Sequence, residues 1–234
     1  MELVATRGYP GSCPLRLTLL EWRRLLRWFV LGQSAAVIAQ ESPLERKRVL
    51  RALLLVRQAM TQDLPPVFSG VVEIDETYVG GAWRNKRRAE RGQGTRRGRG
   101  TSKQAVFGIL CRGGQVWAEM VPNVEAKTLL PLLRRRVSAG STVCSDTFSS
   151  YTGVAAGGYV HRLVDHSHTF SNRRGSHING LEGFWGYLKR RLASKGGIRR
   201  ERLPLYLAEY VWRYNHRRRS VPEQVNELMK LLQS

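Results

Sequence analysis

The sequence predicts an α/β protein, in which a mixed sheet flanked by helices follows a small helical N-terminal domain. Two observations predict this division. Before residue 60, apolar residues recur at helical spacing behind capping signals, whereas beyond residue 70 strand-like and helical runs alternate. Between them lie Pro65 and Pro66, which cannot continue a helix and favour extended backbone. We therefore predict a helical domain over 1–64, an α/β domain over 67–219 and a C-terminal helix over 220–234.

Three helices are predicted before the prolines. Thr18 and Glu21 form a capping-box pattern at the start of the first helix, and a short helix follows over 34–40. The third helix is predicted to begin behind Ser42 as its N-cap and to run to about residue 60, with a proline at its first position. Three helices joined by tight turns resemble a helix-turn-helix unit, and a plain helical bundle is the alternative.

Beyond the prolines the predicted order is β-β-β-α-β-β-α. The second and third strands form a hairpin through 112–114, so the first three strands are expected to be adjacent. This order resembles the ribonuclease H-like arrangement, in which helices cover both faces of a mixed sheet. The predicted strands are 70–79, 105–111, 115–121, 142–146 and 159–165, and the predicted helices lie within 124–137, 179–192 and 203–217, before a C-terminal helix capped at 220–223.

The charge of the chain indicates a polyanionic partner. The sequence has 39 Lys and Arg against 18 Asp and Glu, a formal net charge of +21. Nucleic acid is the first candidate. A membrane surface is the competing polyanion, but no apolar run approaches the roughly 20 residues that span a bilayer, and the N-terminus is unlike a signal peptide. We expect no membrane partner and a cytoplasmic location.

Several basic clusters are candidates for contact with nucleic-acid phosphates. An insertion over 84–103 holds nine Lys and Arg against the single acid Glu90, interleaved with glycines, so it cannot bury a core. A solvated linker, or an ordinary solvated helix face, is the alternative for each cluster. The residues predicted to bind DNA are Arg46, Lys47, Arg48 and Arg51 in the third helix, Arg87, Arg88, Arg96, Arg97 and Arg99 in the insertion, and Arg190, Arg213 and Arg217 in the last helices.

Three acidic residues are candidates for a divalent-metal site. Asp75 follows V-V-E-I and Asp146 follows S-T-V-C-S, so each is predicted at a strand end, while Glu182 lies in a later helix. Ligands gather at the carboxyl ends of strands in α/β proteins, and hard cations prefer carboxylate oxygens. A lone Asp after a strand is more often a turn or cap residue. Glu73 shares a strand face with Asp75, whereas Glu76 points the other way. Either could support the site from behind the metal ligands, but a solvent-facing side chain is the expectation that we prefer.

Four motifs in order carry a family resemblance. They are D-E-T-Y-V-G-G at 75–81, S-D at 145–146, N-G-L-E-G-F-W-G-Y-L-K-R at 179–190 and E-Y-V-W-R-Y-N-H-R at 209–217. Together they resemble bacterial insertion-sequence transposases of the ISXO-like group, which are DDE-type enzymes with a ribonuclease H-like core. The resemblance covers roughly 18–217 and is strongest after residue 70.

The resemblance implies a reaction and its participants. Asp75, Asp146 and Glu182 would hold two Mg²⁺ ions, with Mn²⁺ as a substitute, and water would cut the strand at the element end. The exposed 3′-hydroxyl would then attack target DNA without a covalent protein intermediate. The implied partners are the terminal repeats and target DNA in a bacterial cytoplasm, bound by a homodimer or higher oligomer because two DNA ends must meet.

The third ligand is open between two residues of one helix. Members of this group are described with either Glu or Asn at this position, and both Glu182 and Asn179 occur here, one turn apart on the same face. Asn179 could instead be an N-cap. Lys189 lies two turns after Glu182, where its ammonium could hold a DNA phosphate, although it could equally be an ordinary exposed lysine.

Two other functions remain as alternatives. One is a catalytically inactive DNA-binding protein derived from a transposase, which would retain the fold and the charge. A repair or junction nuclease with a ribonuclease H-like fold is the weaker of the two.

Overall fold

The computed structural model describes residues 3–5, 15–80, 103–146, 153–164 and 179–233. They belong to two compact units, Met1–Leu64 with Asn215–Ser234, and Pro65–Tyr214. No helix in these ranges is long and apolar enough to cross a bilayer.

In chain order the elements are β1 Leu3–Ala5, β2 Arg16–Thr18, α1 Leu19–Val30, α2 Ala35–Gln40, α3 Arg46–Met60, β3 Val71–Val79, β4 Gln104–Cys111, β5 Val116–Val121, α4 Ala126–Arg136, β6 Thr142–Ser145, β7 Val160–Leu163, α5 Asn179–Ala193, α6 Leu203–Asn215 and α7 Val221–Gln233.

The first unit is helical and includes the C-terminal helix. Helix α7 packs against α1 and α3, so the two ends of the chain share one core. The N-terminal boundary of α1 is as predicted, because Thr18 Oγ1 accepts the Glu21 N–H and Glu21 accepts the Thr18 N–H. The antiparallel pair of β1 and β2 ahead of it was not predicted from the sequence.

The predicted start of α3 is wrong. The helix begins at Arg46 with Glu45 as its N-cap, which makes no side-chain capping bond. Ser42, expected to be the cap, instead donates its hydroxyl to the carbonyl oxygen of Ile38 at 2.6 Å. The Ser42 side chain therefore bonds to the end of α2 and does not cap α3, which starts at Arg46.

The second unit contains a five-stranded mixed sheet with the order β5-β4-β3-β6-β7. The three strands β3, β4 and β5 are antiparallel neighbours, whereas β6 and β7 run parallel to β3. The β4–β5 hairpin turns through Gly113, whose φ of 71° lies in the left-handed region that glycine adopts without strain. Strand order and helix placement confirm the predicted ribonuclease H-like α/β fold.

Helices cover both faces of this sheet. One face packs on α4, with Phe107, Ile109 and Leu129 in its core, and the other packs on α5 and α6. Because strand residues alternate between faces, Val72 and Ile74 belong to the α4 face. The intervening residues Glu73 and Asp75 face α5, so the acidic side chains of β3 lie under that helix.

Candidate active site

Asp75 lies in the middle of β3 and not at its end, which corrects the sequence prediction. The strand continues to Val79 because its antiparallel pairing with β4 extends that far. Its parallel pairing with β6 stops earlier, at Glu73 opposite Cys144. Asp75 therefore lies where β3 separates from its parallel neighbour, at the edge of the parallel part of the sheet.

Asp146 follows the last residue of β6 directly, as predicted. Extending the register of Glu73 opposite Cys144 by two residues brings Asp146 to the level of Asp75, and the charge of Asp146 is near enough to raise the pKa of Asp75. The preceding residue, Ser145, is fully buried and donates its hydroxyl to the Asp146 carbonyl oxygen at 2.8 Å. Its oxygen also lies 2.8 Å from His161 Nε2 on β7, so these two side chains support the backbone at Asp146.

The carboxyl group of Asp75 is held in an environment that disfavours its charge. Burial, followed by the nearby negative charge of Glu76, raises the pKa of Asp75 to about 7, and the charge of Asp146 adds to this shift. The hydrogen bond from Trp185 opposes the shift. A half-buried carboxylate near another carboxylate is an arrangement that a bound cation would stabilise.

Trp185 of α5 provides a hydrogen bond to this carboxylate. Its indole Nε1 donates to Asp75 Oδ2 at 2.9 Å, and the side chain is buried against the sheet. Gly108 of β4, directly opposite Asp75 in the register, leaves room for the ring. A Cβ at Gly108 would lie 2.6 Å from the indole Cζ2 and Cη2 atoms.

Glu73 is buried, which contradicts the expectation of a solvent-facing side chain. It is 1% exposed, pairs with Arg112 Nε at 3.2 Å and accepts the backbone N–H of Leu181 at 2.9 Å. Gly180 permits this approach, because a Cβ there would lie 2.9 Å from Glu73 Oε2. The carboxylate therefore binds the first turn of α5, where unpaired N–H groups and the helix dipole favour negative charge.

The other predicted site residues lie on α5 and are exposed. Asn179 is the first residue of the helix, Glu182 is in its first turn and Lys189 is two turns further on. Glu182 comes one turn before Trp185, which contacts Asp75. Within the described residues, no three His, Cys, Asp or Glu side chains are grouped closely enough to hold a metal ion. The structure thus brings Asp75 and Asp146 together, but does not group Glu182 with them.

The predicted DNA-binding residues have different environments. Arg46, Lys47 and Arg51 are exposed on α3, and Arg48 donates to the Arg16 carbonyl oxygen at 2.7 Å. Arg213 is half-buried and ion-paired with the buried Glu209 at 2.9 Å. Arg190 and Arg217 are exposed, whereas Arg87, Arg88, Arg96, Arg97 and Arg99 lie outside the described residues.

A basic connection between α5 and α6 was not predicted from the sequence. It contains four exposed cations, and Arg200 donates to Gln104 Oε1 at 3.0 Å. Adjacent glycines at 196 and 197, both with positive φ, mark the turn and were a usable signal for it. The exposed cations of this connection are Lys195, Arg199, Arg200 and Arg202. Trp185 was also not predicted as a site residue, because an apolar helix stripe carries no local signal of its contact with Asp75.

Comparisons with known proteins agree with the family that the motifs indicate. The family model of the ISXO2-like transposase domain matches residues 67–215. A relative described as an uncharacterized transposase-like protein of Haemophilus influenzae is 36% identical over 118 residues, which are 50% of this chain and 94% of the relative. The simian T-cell lymphotropic virus intasome, solved in complex with PP2A regulatory subunit B56 gamma, matches 82% of this chain and 68% of its own, with 13% identity and a TM-score of 0.37. On the match of the family model and the identity with this relative, the chain belongs to the ISXO2-like transposases.

Proposed function

We propose that this transposase cuts DNA strands at the ends of an insertion sequence and transfers those ends into target DNA. The observation that supports the proposal is that Asp75 on β3 and Asp146, directly after the parallel strand β6, are near enough for the charge of Asp146 to raise the pKa of Asp75. Two carboxylates in this position need a positive charge between them and are suitable ligands for a hard divalent cation.

The residues fit Mg²⁺, with Mn²⁺ as a substitute. Asp75 is half-buried, its pKa is raised to about 7, and Asp146 is one of the charges that raise it, so a cation would relieve a repulsion already present. Two bound Mg²⁺ ions would make a water or a 3′-hydroxyl a better nucleophile and stabilise the leaving oxygen. The chain's own contribution is to hold Asp75 and Asp146 in a fixed, partly desolvated arrangement.

Glu182 is our proposed third ligand, and Asn179 is the alternative. Both are exposed on the first turn of α5, and Glu182 is one turn from Trp185, whose indole reaches Asp75. That turn is held against β3 through the bond from the Leu181 N–H to Glu73. A side-chain rotation of Glu182 when metal and DNA bind would complete the site without a shift of the helix backbone.

DNA is the proposed partner. Lys189 and Arg190 are exposed on α5 beyond Glu182, where they would contact phosphates near the cut strand. Arg46, Lys47 and Arg51 would contact DNA from α3 of the helical unit. Since two element ends must be joined to one target, we propose a homodimer or higher oligomer on DNA, acting in the bacterial cytoplasm.

The test is to sequence the DNA that flanks the gene for inverted repeats and then to measure cleavage and joining of a duplex that carries such a repeat. Full-length protein with Mg²⁺ should nick one strand at the repeat end and join it to a second duplex. Asp75→Asn and Asp146→Asn should bind that duplex but not cut it. Glu119→Gln is the matched control, because Glu119 is a half-exposed acid on β5 that pairs with Arg135, and it should retain activity.

A second function is favoured by one observation. Only two of the three predicted carboxylates come together in the described part of the chain, as expected for a transposase-derived protein that binds DNA without cutting it. Tight, repeat-specific binding by intact wild-type protein, with no cleavage in either Mg²⁺ or Mn²⁺, would establish this function and refute the first.

A further inference from the structure

The indole of Trp185 is directed at one atom of the candidate site. Its Nε1–H donates to Asp75 Oδ2 at 2.9 Å, while the side chain is only 4% exposed. A buried indole N–H requires an acceptor, and here the acceptor is a carboxylate, which makes the bond charge-assisted when Asp75 is ionised. The bond restricts rotation of the Asp75 carboxylate about its χ2 angle.

The sheet is shaped to accept this ring at this position. Gly108 faces Asp75 across the β3–β4 ladder, and its missing side chain leaves the space that the indole fills. Any Cβ there would lie 2.6 Å from two ring carbons, closer than packed atoms approach. An alanine at this position would therefore displace the ring and its N–H from Asp75.

The helix that carries Trp185 is anchored one turn earlier. The Leu181 N–H donates to buried Glu73, two residues before Asp75 on the same face of β3. Helix α5 is thus attached to one strand at two points, a backbone N–H near its start and the indole one turn later. With the backbone held in this way, the position of the indole N–H relative to Asp75 is fixed by the fold.

We propose that Trp185 is a positioning residue for the metal site, holding the Asp75 carboxylate in the orientation in which it binds the divalent cation. The inference rests on the proposed function, in which Asp75 is a ligand. Hydrogen bonds from neighbouring side chains to metal ligands set ligand orientation, and their loss typically weakens metal affinity or activity by about 10–100-fold.

A purely structural role is the competing interpretation. Trp185 also packs in the apolar cluster between α5 and the sheet, next to Phe184 at a ring-centroid distance of 5.2 Å. On that interpretation, loss of the N–H would alter stability but not the affinity for metal. The two interpretations are separable because phenylalanine keeps most of the packing and lacks only the donor and the second ring.

The experiment measures Mn²⁺ binding to the full-length, DNA-free protein by electron paramagnetic resonance. Trp185→Phe should raise the Mn²⁺ dissociation constant by about 10-fold or more. Trp117→Phe is the matched control, because Trp117 is equally buried in the same sheet but packs on the opposite face against Phe107, and it should leave the constant unchanged.

A second variant separates folding from positioning. In Trp185→Phe with Gly108→Ala, the new methyl group fills part of the space of the missing ring, so the melting temperature should return towards wild type. The Mn²⁺ dissociation constant should stay raised. If the double or single variant binds Mn²⁺ as tightly as wild type, the inference is overturned while the proposed function stands.

The indole itself supplies an independent readout. The Trp185 Nε1–H resonance, identified by its loss in Trp185→Phe, should shift when Mg²⁺ is added to wild type, whereas the Trp117 resonance should not. Mg²⁺ binding without a shift at Trp185 would refute the positioning role alone. Wild-type protein that binds neither Mn²⁺ nor Mg²⁺ would refute the metal site, and with it both proposals.

Discussion

Glu73 accepts a hydrogen bond from the backbone N–H of Leu181 at 2.9 Å, which ties the start of α5 to β3 two residues before Asp75. Arg112 neutralises the same carboxylate at 3.2 Å. A buried acid at a helix N-terminus satisfies an N–H that the helix itself cannot. This contact explains why the helix bearing Glu182 lies over the strand bearing Asp75.

The first prediction concerns the stability of this anchor. Glu73→Ala leaves the Arg112 guanidinium without this carboxylate and removes the acceptor of the Leu181 N–H, so it should reduce the free energy of unfolding by about 3 kcal/mol. Glu73→Gln keeps an acceptor and should cost less. Chemical denaturation followed by circular dichroism measures both changes.

Glu119→Ala is the control for this prediction. The ion pair of Glu119 with Arg135 is largely exposed at 3.4 Å, so its loss should cost about 0.5 kcal/mol or less. An equal loss of stability for the Glu73 and Glu119 variants would contradict the anchoring role.

The second prediction is a pH dependence that arises from Asp75. Folding raises the pKa of Asp75 from 3.8 to about 7, chiefly through burial, so the folded state binds its proton more tightly than the unfolded state. In metal-free protein, Asp75 therefore lowers the free energy of unfolding increasingly as the pH rises from about 4 to 7, and the full loss of stability is reached above pH 7. Asp75→Asn should raise the melting temperature at pH 8 by about 5 °C.

This gain should depend on both pH and metal. Near pH 4 wild-type Asp75 is protonated in the folded state, so Asp75→Asn should melt close to wild type. Saturating Mg²⁺ at pH 8 should stabilise wild type and not the variant. The difference in melting temperature between the two proteins should therefore become smaller or change sign. A variant that is less stable than wild type at pH 8 without metal would contradict the prediction. Scanning calorimetry of both proteins at pH 8 with chelator, at pH 8 with Mg²⁺ and near pH 4 measures these melting temperatures.

The fold and the two aspartates could be predicted from the sequence because their signals are local. Strand and helix periodicity, the capping box at Thr18 and the hairpin turn are properties of neighbouring residues. Asp146 was predicted correctly at a strand end. The same position was predicted for Asp75, but Asp75 lies in mid-strand, because the strand predicted over 70–79 runs on to Val79 through its pairing with β4.

The contacts that organise the site could not be predicted because they join distant parts of the chain. Glu73 meets Leu181 across 108 positions and Asp75 meets Trp185 across 110. The polarity of a glutamate that alternates with valine and isoleucine predicts a solvent-facing side chain. Burial of Glu73 is favourable only because α5, packed above it, donates the Leu181 N–H to its carboxylate. The prediction of where α3 starts was wrong for a similar reason, because the Ser42 hydroxyl donates to the Ile38 carbonyl oxygen at the end of α2 and does not cap α3.

The third prediction decides between the two candidates for the third ligand. Glu182→Ala should reduce strand cleavage by about 100-fold and weaken Mn²⁺ binding, because it removes the anionic oxygens of the proposed third ligand. Asn179→Ala should reduce cleavage by less than about 10-fold. Cleavage of the repeat duplex and Mn²⁺ resonance should be measured on the same preparations.

Glu201→Ala is the matched control, since Glu201 is an exposed acid in the connection between α5 and α6. It should leave both quantities unchanged. Near-normal cleavage by Glu182→Ala together with a large loss for Asn179→Ala would transfer the ligand role to Asn179.

The fourth prediction concerns the basic face of α3. Deleting 1–63 would not test this face alone, because α7 packs on α1 and α3 and its apolar side would be exposed without them. Arg46 and Lys47 are exposed, so replacing both with alanine should weaken DNA binding without unfolding the unit. If each contacts one phosphate, the slope of log affinity against log salt should fall by about 1.8.

Arg24→Ala with Arg27→Ala is the matched control for charge, because both residues are exposed on α1, outside the predicted recognition helix. Anisotropy titrations between about 50 and 200 mM salt, on the terminal-repeat duplex and a shuffled one, compare the two double variants. The α3 variant should lose more affinity for the repeat than for the shuffled duplex, since a recognition helix contributes base contacts that its phosphate contacts hold in register. Equal losses by both variants on both duplexes would show that the unit acts only as a general polycation.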